Sequence, residues 1–343
     1  MNTDWQNFLT RHGATIESGV VQHFGNSKTE LSATAQGTIL CDLSQFGTLR
    51  ISGEDAQTFL QNLLSNDISE VTTGRAQYSS LNTAKGRVMA TFLIWRDGSD
   101  YVLQLPRAQC EAIRKKLSMY VLRSKVTIGD ISDETICLGV SGKEAVELIA
   151  ECFEAAPQTA MSVVQQKHAS AIRLGEARLQ IITTPQYASS LWKCMAMDTT
   201  AAGTPCWDWL NIRDGFAFIL PQTQEHFVAQ MINLDLIGGV SFNKGCYPGQ
   251  EIVARTQYLG KLKRRMYLAH IDSTEAPQPG DELFSADMEG QASGMIANVA
   301  PSPSGGYDAL AVLQIASHDA YPVHLRSLLD ARLEFLPLPY PIP

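Results

Sequence analysis

Lys244-Gly245-Cys246-Tyr247-Pro248-Gly249-Gln250-Glu251, with Arg255 close behind, decides how this chain is read. A thiol, a cation, two glycines, a proline, an aromatic ring and a carboxylate suit neither a plain strand nor a helix interior. Glycine and proline impose a backbone path of the kind found in tight loops, where side chains are aimed rather than packed. From Gly249 onward, Gln-Glu-Ile-Val-Ala-Arg can begin a short helix, which places Cys246 just before a helix N-terminus. The partial positive charge of that end, together with Lys244 and Arg255, is expected to lower the thiol pKa. A small buried cysteine in an ordinary loop is the bland alternative, and on chemistry alone the two readings stand level.

The run resembles the K-G-C-Y-x-G-Q-E signature of the YgfZ family of folate-binding-like proteins, relatives of the glycine-cleavage T-protein (aminomethyltransferase). The resemblance continues through Asn233-Leu234, Gly238-Gly239-Val240-Ser241-Phe242 and Tyr258-Leu259-Gly260-Lys261. In the N-terminal third it takes in Asp42-Leu43-Ser44, Ser52-Gly53-Glu54-Asp55-Ala56, Phe59-Leu60-Gln61, Asn66-Asp67, and Asn82 with Lys85-Gly86-Arg87. It implies an aminomethyltransferase-like fold: two α+β parts and a C-terminal antiparallel β-barrel around a central cavity.

Composition agrees and sets limits. At 343 residues the chain exceeds one ordinary core, so two or three domains are expected. A hydrophobic share of 45% and a charged share of 18% describe a globular protein with ample core material. The seven cysteines include no CxxC pair and no zinc-ligand spacing, a scatter that suits a reducing cytosol. The opening Met1-Asn2-Thr3-Asp4-Trp5 has no signal-peptide pattern, and no apolar run is long enough to span a membrane. A cytoplasmic protein without membrane partners is expected. Phosphate-loop, dinucleotide, HExxH and GxSxG motifs are absent, and the isolated histidines suggest no metal site.

Hydrophobic periodicity outlines the elements. Trp5, Phe8 and Leu9 mark an opening helix after an Asp4 cap, and Ala56, Phe59, Leu60, Leu63 and Leu64 share one helical face. Strands are expected at 48–52, 76–81, 88–95, 101–105, 126–128 and 136–140, with helices after Pro106 and over 142–153. This irregular alternation predicts an α+β fold. The low-charge stretch 155–166 reads as a linker. Short runs at 266–269, 282–284, 293–299, 309–313 and 333–335 predict a small antiparallel barrel, and Pro337 to Pro343 a frayed tail. The expected domains are 1–155, 156–255 with the KGCYPGQE motif, and 256–340.

Between Ile252 and Ile271 lie Arg255, Lys261, Lys263, Arg264 and Arg265 and no carboxylate, although net charge is −8. Such a patch steers anions or is merely a solvated strand; no stable nucleic-acid complex is expected from it.

Resemblance to the T-protein also exposes departures. Its aspartate after the N-x-x-G-G turn assists chemistry at the folate amine, but here Asn82 to Val88 leads to Met89 and Ala90, which cannot move protons. Arg213 stands where its pterin-holding glutamate would be, and Asp214 is one position off. Conventional aminomethyltransferase activity is therefore not expected. The resemblance still implies folate binding, as tetrahydrofolate or a derivative, through Trp207 and Phe46; the Arg213 guanidinium suits the glutamyl carboxylate, and Asp214 is a further cofactor-binding candidate. It implies support of iron–sulfur cluster assembly or repair in [4Fe–4S] enzymes, including those that methylthiolate tRNA, with client enzymes or assembly factors as partners. Cys246 is then the working thiolate, tuned by Lys244 and Arg255, with Tyr247, Gln250 and Glu251 completing the motif. A relocated one-carbon transferase and an RNA-binding accessory protein are the alternatives.

Overall fold

The computed structural model describes residues 1–153, 155–258 and 260–343; Leu259 of the Tyr258–Lys261 run lies outside them. The chain divides into two compact units. The first comprises Met1–Ala56, Ser69–Gln77 and Leu93–Trp207, and the second Gln57–Ile68, Tyr78–Phe92 and Asp208–Pro343. Positions 155/156 and 255/256, expected as domain edges, fall inside the first and the second unit respectively.

The first unit is built on a six-stranded sheet in the order Val163–Gln165, Ala169–Arg173, Arg178–Thr183, Ile136–Ser141, Ile39–Asp42, Thr200–Ala202. All neighbours are antiparallel except the last pair. Alternation along the strands sends Leu40, Leu138, Val140, Leu179 and Ile181 into one core with Trp5, Phe8, Ile149, Phe153 and Trp192 of three covering helices. The opening helix Thr3–Arg11 is capped by Asn2, whose side chain accepts from the Asp4 and Trp5 amides, rather than by Asp4. The stretch read as a linker contributes an edge strand, Val163–Gln165, and a buried Ala156. A second sheet orders the end of Val88–Asp97, then Asp100–Pro106, Phe46–Ser52 and Thr127–Asp130.

The second unit carries a C-terminal antiparallel half-barrel. Its strand order is Val323–Leu325, Glu282–Ser285, Ala292–Pro301, Tyr307–Gln314, Arg264–Ile271, Leu333–Leu336. The outermost strands touch through an isolated bridge, His324 to Arg332. Both faces are apolar. Tyr267, Ala269, Ile271, Leu283 and Ala309 fill the concave core, while Met266, Leu268, Leu310 and Val312 pack on Ile212, Phe216, Ile232 and Val253. The proline-rich end is fastened rather than frayed. Tyr340 donates its hydroxyl to the Gly215 carbonyl at 2.7 Å and receives the Asn233 amide at 3.4 Å. No helix among the described residues is long and apolar enough to cross a membrane.

Candidate functional site

The motif loop is held at both ends within the second unit. At its start, Lys244 is buried and its ammonium donates to the carbonyls of Gln61 (2.6 Å), Leu64 (2.6 Å) and Asn66 (3.0 Å). These oxygens lie at and just beyond the C-terminus of helix Ala56–Gln61, where helical carbonyls lack internal partners and the dipole is negative. Three donors thus meet three acceptors. Burial pulls the Lys244 pKa down to about 8, against the opposing pull of the Asp67 charge. The Tyr247 ring lies 5.3 Å from the ammonium and is itself buried, which pushes its phenol up to about 12. Asn66 braces the same corner, donating its side-chain amide to the Tyr78 (2.9 Å) and Gly238 (2.7 Å) carbonyls.

At the far end, Gly249 adopts φ +80°. A Cβ there would lie 2.5 Å from the Thr83 carbonyl oxygen and 2.6 Å from the Gly86 Cα. Backbone therefore packs on backbone, a contact only glycine permits. The receiving turn, Thr83 to Arg87, is closed by Thr83 N–H to Arg87 O (2.8 Å) and Gly86 N–H to Thr83 O (2.9 Å). Lys85-Gly86-Arg87, a weak anchor by itself, and the specific octapeptide are thereby brought into one place. Helix Gln250–Tyr258 then starts where its sequence predicts, with Val253 buried and its carbonyl accepting from Gln230 Nε2 at 2.7 Å.

Between these fixed points Cys246 is exposed and reduced. Gln250 is half-buried, whereas Glu251 and Arg255 are exposed on the following helix. The geometry gives Lys244 a positioning role, because all three of its donors are taken by carbonyls.

The other candidate residues sit elsewhere. Trp207, in the first unit, is 1% exposed; its ring lies against Gly139 and 4.9 Å from the Arg178 guanidinium. Phe46, also in the first unit, is buried at the head of its strand. In the second unit Arg213 is 4.0 Å from Asp308, which also accepts from Trp209 Nε1 and contacts His270 Nδ1, each at 2.8 Å. Asp214 is half-buried on the same helix end. Asp308 went unnoticed in the sequence, although a lone carboxylate in the apolar run 307–313 needs partners once buried. Asn82 offers a sharper signal: it is 1% exposed and its Nδ2 has no hydrogen-bond partner.

The basic stretch is less basic than its sequence suggests. Arg265 is buried and forms a two-pronged ion pair with Asp235 at 2.7 and 3.0 Å, while also donating to the Gln230 carbonyl. Lys261 and Lys263 remain exposed and Arg264 is half-buried.

Comparison with known proteins agrees with this architecture. The GCVT N-terminal domain family matches residues 10–235. A tRNA-modifying protein YgfZ from Colwellia psychrerythraea is 34% identical over 253 residues, covering 73% of this chain and 77% of the relative. The YgfZ protein of Escherichia coli O157:H7 is 30% identical over 246 residues, covering 71% and 75%. The crystal structure of glycine cleavage system aminomethyltransferase T from Bartonella henselae superposes with a TM-score of 0.77 at 14% identity, covering 98% of this chain and 96% of that one. That likeness establishes the shared mixed α+β fold. With the fold, the domain match and the relatives in agreement, this chain belongs to the YgfZ tRNA-modifying protein family and carries a GCVT N-terminal domain.

Proposed function

We propose that this protein binds tetrahydrofolate or a derivative and supports assembly or repair of iron–sulfur clusters in [4Fe–4S] enzymes, tRNA-methylthiolating ones among them. One observation carries the reading: Cys246 is an exposed thiol on a loop locked at both ends, by Lys244 and by Gly249. A thiol meant only for packing would be buried. A thiol held out rigidly on backbone anchors meets a sulfur, a cluster or a partner protein in one orientation, with little ordering left to do. Tyr247, Gln250, Glu251 and Arg255 are the residues proposed to complete the motif. Kinship with tRNA-modifying relatives supports the direction.

For folate, the fit rests on Asn82. Its buried, unpartnered Nδ2 suits a ring nitrogen or carbonyl acceptor of a pterin. Arg213 and Asp214 of the same unit remain its proposed companions; Trp207 and Phe46 of the first unit keep their proposed role through family kinship alone, and Trp207 would have to exchange its Arg178 contact for a ligand. Titrating tetrahydrofolate while following tryptophan fluorescence should give saturable quenching. Trp207→Phe, which keeps the buried volume roughly filled, should weaken the affinity several-fold. Unchanged affinity removes Trp207 from the site.

The shared aminomethyltransferase fold favours a second reading, a one-carbon transferase whose acid–base groups have moved. Incubating the protein with tetrahydrofolate and an aminomethyl donor distinguishes the two, since only the transferase forms a one-carbon folate. The exposed Lys263 and half-buried Arg264 predict weak, salt-sensitive tRNA contact at most. Tight gel-shift binding at physiological salt, abolished by charge reversal at both, would promote an RNA-binding role instead.

A further inference from the structure

Two cysteines outside the motif loop lie at the ends of neighbouring helices in the first unit. Cys152 is in the last turn of helix Ala145–Phe153, and Cys194 in the last turn of helix Pro185–Met195. The helices pack side by side, with Ile149 and Phe153 of one and Trp192 and Met195 of the other in a single core cluster. At the edge of that contact Cys194 is near enough to Cys152 to help push its thiol pKa up. Cys152 is half-buried, Cys194 is exposed, and both are reduced. Two cysteines in the last turns of packed helices are placed so that a disulfide of about 2.05 Å can staple one helix to the other.

We propose that Cys152 and Cys194 form a redox-active dithiol that hydrogen peroxide closes into a disulfide, stapling the two helices. Exposure makes Cys194 the first to react. Its thiolate attacks the peroxide, an S–O bond forms as the O–O bond breaks, and the departing hydroxide leaves as water. The Cys152 thiolate then attacks the sulfenic sulfur, forming S–S and expelling a second hydroxide as water. In total, two thiols lose two electrons and two protons, and one peroxide becomes two waters. Burial above all, and then Cys194 and Glu151, push the Cys152 thiol up to about 12. Closure is therefore slow at neutral pH and accelerates as pH rises. The inference does not depend on the role proposed for Cys246.

Peptide mapping of the full-length protein tests it. After treatment with hydrogen peroxide, remaining thiols are blocked with N-ethylmaleimide and the protein is digested without reductant. A cross-linked peptide pair containing Cys152 and Cys194 should appear, vanish with dithiothreitol, and be absent from Cys194→Ser. The oxidised protein should also melt a few degrees higher, because the staple restricts the unfolded chain. Equilibration in glutathione buffers provides a check independent of peroxide kinetics and should yield the same cross-link. Recovery of both cysteines alkylated in fully oxidised glutathione would overturn the proposal. So would peroxide treatment that leaves Cys194 as sulfinic acid with Cys152 free.

Discussion

Cells whose only copy of this protein carries Cys246→Ser should show [4Fe–4S] enzyme activity no higher than cells with no copy at all. The fold should survive unchanged. Cys246 is exposed, so its sulfur contributes little packing, and substitutions at such positions usually shift stability by no more than about 0.5 kcal/mol. The loop around it is fixed by groups the substitution leaves alone, Lys244 at one end and Gly249 at the other. Thermal unfolding of the purified variant separates loss of chemistry from loss of structure. Full rescue by a stably folded Cys246→Ser would remove the thiol from the mechanism and leave the octapeptide as a structural loop. In native alkylation at neutral pH, Cys246 and Cys194 should react first, since both are exposed. Cys110 and Cys137, each pushed up to about 12 mainly by burial, should stay unmodified.

Lys244→Met should cost about 3–5 kcal/mol of stability, measured by urea unfolding, because it strips the donors from a group of largely buried carbonyls. Methionine fills a similar length, so the loss reports hydrogen bonding more than volume. A loss below about 1 kcal/mol would mean that water replaces the ammonium and the clamp is incidental. The pH dependence has a definite sign. The folded-state pKa near 8 lies below the ordinary 10.5, so between those values the unfolded chain binds more protons than the folded one. Added to the hydrogen bonding is a pH-linked increment from Lys244, fully present above pH 10.5 and lost as pH falls through 8. Relative to Lys244→Met, the natural protein should gain stability as pH climbs through that window. If Lys244 also tunes the thiol, the Met variant will in addition alter the alkylation rate of Cys246.

What the sequence conveyed followed the range of the forces involved. Short-range signals were legible: the 3.6-residue spacing of Ala145, Leu148, Ile149 and Phe153 predicted a helix, and the glycine before Gln250 located the start of another. The partners of Lys244 were not, because they are main-chain carbonyls some 180 residues upstream and carry no residue-type signature. Arg265 looked like part of a solvated basic run because a charge series says nothing about depth, and Asp235 lies outside the run. Val323–Leu325 escaped notice because three residues are too few to show alternation. The terminal prolines suggested disorder, while the Tyr340 hydroxyl and the packing of Leu338 and Ile342 tie that end down. At the site, the octapeptide stood out by composition, but its docking on the Thr83–Arg87 turn depends on two glycines whose meaning is purely steric.

That glycine-on-glycine contact bears on the order in which the molecule matures. Gly249 cannot seat until the hairpin turn bearing Gly86 has formed, and the two are far apart along the chain. Closing so long a loop carries an entropic penalty that neighbouring contacts do not offset in advance, so such joins tend to come late in folding. The cysteine loop thereby acts as an end-of-line certificate. A nascent or half-folded chain bears the same thiol, but only a finished one holds it out in a fixed attitude.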